Sequence, residues 1–140
     1  MNQAFQRQTE RTALLYELSR LPDKQRIKLI EEYRKRSEEA FAPTTLKNYR
    51  MIVRLFGEWC AERELSADPP VSPSIVAAWV DDMGGKLAAT TIGTRLWGIA
   101  ELHRSHFLPT PTTHRLVELA VKGVKRKYGS ATRQAPPLGK

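Results

Sequence analysis

The chain has 140 residues, 41% of them hydrophobic and 27% charged, which is enough for one compact domain with its own core. A net charge of +8 and a pI near 9.9 point to a polyanionic partner, nucleic acid ahead of an anionic membrane. A single cysteine, Cys60, excludes an intramolecular disulfide; the polar stretch "MNQAFQRQTERT" does not resemble a signal peptide, and no apolar run approaches membrane-spanning length.

Strand-type alternation is absent, and Pro or Gly clusters divide six helical segments, so the chain reads as all-α. The first segment, roughly Phe5 to Arg20, places its clear apolar positions, Leu14, Leu15 and Leu18, in its second half, with Leu21 just beyond. "LPDK" then stops and restarts the chain, with Pro22 suited to a first helical turn and Asp23 to the positive end of the helix dipole. The second segment, about Asp23 to Ala40, has one apolar stripe, Ile27, Ile30 and Tyr33, with Phe41 beyond it. Its other face is charged and includes Glu31 with Lys35 and Glu32 with Arg36 at the i,i+4 spacing.

Pro43 breaks the chain again, and Thr44 or Thr45 is placed to cap the third segment. There Leu46, Tyr49, Val53, Phe56 and Cys60 recur at helical spacing through about Glu62, widened by Ile52 and Trp59. After the loop "LSADPPVSPS", Ser72 as N-cap and Pro73 at the first helical position open the fourth segment, Pro73 to Met83. Ile75, Val76, Trp79, Val80 and Met83 are its core face, and Gly84–Gly85 supplies left-handed geometry at its end. The fifth, "LAATTIGTRLWGIAELH", turns Ile92, Leu96, Ile99, Leu102, His103 and His106 to one side, with Trp97 off that side and expected to pack elsewhere. The sixth, about Thr112 to Tyr128, turns Leu116, Val117, Ala120, Val121 and Val124 inward; "GSATRQAPPLGK" follows as a linker or tail.

The charge is uneven. Residues 1–40 carry nine Lys/Arg against seven Asp/Glu, residues 41–110 seven against seven, and residues 111–140 seven against one, so the excess sits at the C-terminal end. No enzyme signature accompanies it. His103 and His106 stand one turn apart without a Cys, Asp or Glu to complete a metal pattern; Asp81–Asp82 reads as a solvated helix edge; and no glycine-rich phosphate loop or nucleophile elbow occurs. Cys60, on an apolar face, reads as a core thiol.

Two surface patterns remain. On the third segment, Lys47, Arg50 and Arg54 form one stripe at about 100° per residue, opposite the apolar face, as a helix that tracks phosphates requires; a solvated helix face is the alternative. On the fifth, Thr90 and Thr94 stand one turn apart, away from Ile92, Leu96 and Ile99. Capping accounts for Ala89 or Thr90, but not for Thr94, a turn further in, which invites a contact with bases or phosphates.

The runs "TTLKNYRMIVRLFGEWCAERELS", "SPSIVAAWVDDM", "KLAATTIGTRLWGIAELHRSHFLPTPT" and "LVELAVKGVKRKYG...RQAPPL" closely resemble the core-binding domain of tyrosine recombinases (phage integrases), in particular the Cre-type branch, over about residues 41–138. That resemblance implies a four-helix, SAM-like core-binding domain at 41–128, preceded by one or two helices in a 1–40 extension and followed by a 129–140 linker. It implies a clamp on double-stranded DNA with Lys47, Asn48, Arg50 and Arg54 from the third segment, Thr90, Thr91, Thr94 and Arg95 from the fifth, and Lys122, Lys125 and Arg126 from the sixth. Thr94 and Arg95 would be the base-reading pair. The family's catalytic arginines, lysine, histidines and tyrosine belong to a second domain that begins after "RQAPPL", so this chain as given is expected not to cut DNA and to need neither cofactor, metal nor small-molecule substrate.

The lone cysteine and the lack of a signal-like or spanning segment lead to the expectation of a cytoplasmic, reducing setting with no membrane partner; the resemblance adds association with the nucleoid and offers residues 1–40 as a contact between copies on DNA. For the stripe Ile27/Ile30/Tyr33, packing on its own domain is the equal alternative. Phe107 stands where relatives have Gly, which leaves that turn open. Two other functions stay in view: a standalone accessory or regulatory DNA-binding protein of the same fold, and a helical protein-interaction module.

Overall fold

The computed structural model describes residues 21–129. The first predicted segment, and the linker with "RQAPPL", lie outside those residues. Among the described residues the fold is all-helical, without a strand: α1 (Asp23–Ala40), α2 (Pro43–Glu62), α3 (Pro73–Met83), α4 (Ala89–Ser105), a 3₁₀ turn (Pro111–Thr113) and α5 (Arg115–Tyr128).

The core forms where α2, α3 and α4 turn their apolar faces together. Ile52, Phe56 and Cys60 of α2, Val76, Trp79, Val80 and Met83 of α3, and Ile92 and Ile99 of α4 are all buried, with Val117 of α5 closing one side. Phe56 lies between Trp79 and Trp59, ring centroids 4.9 and 6.3 Å away. Helices α2 and α4 approach closely because Gly98 faces Ile52: a Cβ at Gly98 would lie 2.5 Å from Ile52 Cγ2. Helix α5 closes on the end of α3 in the same way, Val124 and Tyr128 lying over Gly84 and Gly85. Gly85 takes the left-handed conformation (φ +79°) expected of the Gly–Gly turn.

His103 ties the α2–α3 loop to this core. Fully buried, it accepts the Val71 N–H at Nε2 (3.0 Å), while Nδ1 lies 2.8 Å from the Ile99 carbonyl. Both bonds form at once only in the neutral tautomer protonated at Nδ1. Burial pushes the imidazole pKa below its ordinary value, consistent with that neutral state. It is a structural histidine.

The helix ends differ in part from the sequence expectations. Ser72 caps α3, accepting the Ser74 N–H (3.2 Å). By contrast α2 begins one residue before Thr44: Ala42 is the N-cap and Pro43 the first helical residue, so Thr44 and Thr45 are inside the helix and cap nothing. Pro22 likewise stands at the N-cap of α1, just outside its first turn. The sixth segment is interrupted. The 3₁₀ turn ends at Thr113, and His114 restarts the chain as the cap of α5, its Nδ1 accepting the Leu116 N–H (3.1 Å). Leu116 lies about 100° round the helix from buried Val117 and is 45% exposed rather than inward. Of the two i,i+4 pairs on α1, Glu32–Arg36 forms an ion pair (2.7 Å) and Glu31–Lys35 does not.

Helix α1 packs on its own domain. Tyr33 donates its hydroxyl hydrogen bond to Glu101 of α4 (2.7 Å), and Phe41 meets Trp97 edge to face at 6.1 Å. Trp97 also meets Tyr49 at 6.2 Å, so its ring packs between α1 and α2, as its place off the core face suggested. Ile30 lines the seam, whereas Ile27 remains 56% exposed.

Candidate nucleic-acid interface

The outer face of α2 follows directly from its period. With Ile52, Phe56 and Cys60 facing inward, Lys47 and Arg54 fall on the opposite side and are exposed, as are Asn48 and Arg50. Lys47, Asn48 and Arg50 make no side-chain hydrogen bond or ion pair to another described residue. Arg54 has one, a 3.5 Å ion pair with Glu58. Arg50 turns toward the seam with α1, on the rim of a cavity of about 260 Å³ that also meets Arg34.

The N-terminus of α4 is open. Its N-cap is Ala88, whose side chain accepts nothing, so neither Ala89 nor Thr90 is a cap; both are already helical. The capping account of Thr90 therefore fails. The first-turn amides lack the side-chain acceptor that Ser72 and His114 give α3 and α5. Thr90 and Thr94 are exposed and Thr91 is half-buried. Thr94 has a local bond of its own, donating from Oγ1 to the Thr90 carbonyl (3.1 Å). That is ordinary for a threonine inside a helix and leaves the oxygen's lone pairs facing out.

Lys122, Lys125 and Arg126 are exposed on the C-terminal half of α5 and have no carboxylate partner among the described residues. Lys125 reaches α4: with Ala89, Gly93 and Leu96 it borders the groove between the two helices, beside the Thr90/Thr94 edge. The first turns of α4 and the last turns of α5 therefore stand together.

Arg95 does not join them. It lies about 100° round α4 from Thr94, half-buried in a groove lined by Leu55, Glu58, Trp59, Glu62 and Asp82. Thr94 and Arg95 are thus not the adjacent pair that their positions in the sequence suggested. The acidic wall of this groove is well tied at one end. Asp82 accepts from the Trp59 indole (3.1 Å) and Lys86 (3.2 Å), with Arg63 at 3.7 Å. The Lys86 and Trp59 bonds hold its carboxyl below the ordinary range.

Sequence reading missed Glu101. It falls off the apolar face of α4, yet it is 5% exposed because α1 covers it, and it accepts from Tyr33 and from Arg104 (3.1 Å). Burial, then the Glu101 bond, pushes the Tyr33 phenol up to about 12, so it stays a donor near neutral pH. The turn after α4 is left-handed at Phe107 (φ +56°), a conformation that favours Gly; its ring meets Tyr33 edge to face at 5.8 Å. Among the described residues no group of three or more His, Cys, Asp or Glu stands together to hold a metal ion, and no helix is long and apolar enough to cross a membrane.

Comparison with protein-family profiles gives no match. Among curated proteins, the chain is similar to an "Integrase/recombinase xerD homolog" of Selenomonas ruminantium, 25% identical over 128 residues. The aligned region covers 89% of this chain and 37% of that relative, so the chain spans little more than a third of the relative's length. This distant similarity supports a relation to the recombinase family.

Proposed function

We propose that this chain binds double-stranded DNA as the N-terminal, core-binding part of a tyrosine site-specific recombinase or integrase of the Cre-type branch. The observation that carries the reading is the set of exposed cations without carboxylate partners, Lys47 and Arg50 on α2 and Lys122, Lys125 and Arg126 on α5. Their pairing with phosphates would require little breaking of internal ion pairs. The distant similarity to an integrase/recombinase supports the same assignment.

In this reading α2 and α5 supply phosphate contacts and most of the affinity. The open first turn of α4, with Thr90, Thr91 and Thr94, approaches a groove edge, its amides suited to phosphate and its hydroxyls to base edges. Asn48 adds a polar contact beside Lys47, and Arg95 enters from the neighbouring groove. Strand cleavage would belong to a separate catalytic domain, and the protein would act on the nucleoid in the cytoplasm.

The test is fluorescence anisotropy of a labelled duplex against the wild-type chain and a Lys47→Ala/Arg50→Ala/Lys125→Ala variant at several salt concentrations. Wild-type binding should weaken steeply with salt, with a dissociation constant on the order of 10⁻⁴–10⁻⁶ M for arbitrary sequence at physiological salt. Loss of three phosphate contacts should flatten the log–log salt slope by about 2.7. Equal binding by both folded proteins would reject the interface. A protein-interaction role is the second reading, favoured by Leu116 and Leu119, 45% and 48% exposed on the outer side of α5.

A further inference from the structure

The exposed side of α2 changes sign along its length. Lys47, Arg50 and Arg54 are followed on the same side by Glu58 and then, further round, by Glu62. The change falls at one ion pair, Arg54–Glu58, which is built unlike Glu32–Arg36, the other i,i+4 ion pair inside a helix among the described residues. In Glu32–Arg36 the carboxylate precedes the cation, the order that the helix dipole favours, at 2.7 Å. In Arg54–Glu58 the cation comes first, at 3.5 Å, with side chains 63% and 56% exposed.

The neighbouring carboxylates are differently occupied. Asp82 has three partners, and Glu62 is 3.7 Å from Arg63. Glu58 has Arg54 alone among the described residues, and it also borders the groove that holds Arg95. It thus stands between two of the arginines assigned to DNA.

We propose that Glu58 holds Arg54 in reserve and thereby restrains binding to loosely seated DNA. The inference rests on the DNA-binding reading above. A phosphate that approaches loosely meets Lys47 and Arg50 at once, but at Arg54 it competes with the Glu58 carboxylate, and it meets that negative charge if the backbone runs on along α2. Only a duplex seated closely on the helix makes that exchange. Glu58 lowers affinity for arbitrary DNA and marks where the phosphate track leaves α2.

The experiment is a double-mutant cycle in duplex binding, using a labelled 25-base-pair duplex of random sequence and the wild type, E58Q, R54A and R54A/E58Q chains, with thermal melting as the folding control. Both side chains are exposed, so all four should melt alike. E58Q should bind about threefold to tenfold more tightly than wild type, with a salt slope steeper by about 0.9, the signature of one additional phosphate contact. In the R54A background the same change should gain less than about twofold. An equal gain in both backgrounds would overturn the proposal, since Glu58 would then act only as bulk charge. No gain in the wild-type background would overturn it as well. If the folded wild type shows no salt-dependent binding to the duplex, the DNA-binding reading fails first and the role of Glu58 with it, an outcome distinct from the other two.

Discussion

Helices α5 and α1 are both attached to the α2–α3–α4 core, and they are attached by different physics. Helix α5 is fitted: Val117 is 1% exposed, a Cβ on Gly84 would lie 2.7 Å from Val124 Cγ2, and one on Gly85 would lie 2.6 Å from the Tyr128 ring. Helix α1 is latched. None of its residues is fully buried, its ring contacts are edge-on near 6 Å, a cavity of about 260 Å³ remains beneath it, and among the described residues one part-buried hydrogen bond, Tyr33 to Glu101, crosses the seam. Close packing transmits position and tolerates little change, whereas a polar latch with a void can open alone. The basic residues of α5 therefore stand on a rigid platform, and α1 is the element that can separate while the core stays folded.

Three substitutions, taken in order of effect, bear on this contrast. Gly85→Val should be the most damaging, because it adds left-handed strain at φ +79° to a collision with Tyr128. About 2–4 kcal/mol should be lost in chemical denaturation, with α5 losing protection along with α3. Tyr33→Phe removes the donor to a buried carboxylate, costing about 1–2 kcal/mol. The loss should appear as faster amide exchange confined to α1, and equal acceleration throughout α5 would show that the two seams are not independent. Leu119→Ser, on the exposed side of α5, should alter stability by less than about 0.5 kcal/mol; a larger loss on melting would mean that α5 is packed on both sides.

The core itself should be pH-sensitive through His103. Its pKa is depressed by burial, so below the unfolded value of about 6.5 the unfolded chain takes up a proton that the folded chain resists. Stability should be fully present above that pH and decline as the pH falls through the window beneath it. His103→Gln should flatten that part of the stability–pH curve at some cost in stability near neutral pH, and an unchanged slope would assign the effect elsewhere.

Much of the fold was legible because its punctuation is local. Ser72–Pro73, Gly84–Gly85 and Pro43 set helix limits through backbone geometry, and the 3.6-residue period placed Ile52, Phe56, Val76, Val80 and Ile99 inside. What was misread depended on single-residue offsets or on tertiary cover. Pro43 starts α2 itself and strips Thr44 of its capping role; Leu116, one residue from buried Val117, is carried about 100° round α5 and out of the core. Glu101 lies off the apolar face of α4, so only the cover of α1 accounts for its burial. The basic stripe on α2 was readable from spacing alone. The separation of Arg95 from Thr94 was also contained in the helical period, but the acidic groove that Arg95 joins is built from three helices and could not be read from any one of them.

The most direct test of the central claim is a map of backbone amide shifts on titration of the labelled chain with duplex DNA at low salt. DNA binding through the proposed elements should shift the first turn of α4, the outer face of α2 from Lys47 to Arg54, and α5 around Lys122–Arg126, while Ile27 and its neighbours on α1 stay still. Shifts confined to α1, or none at all with the protein folded, would contradict the account.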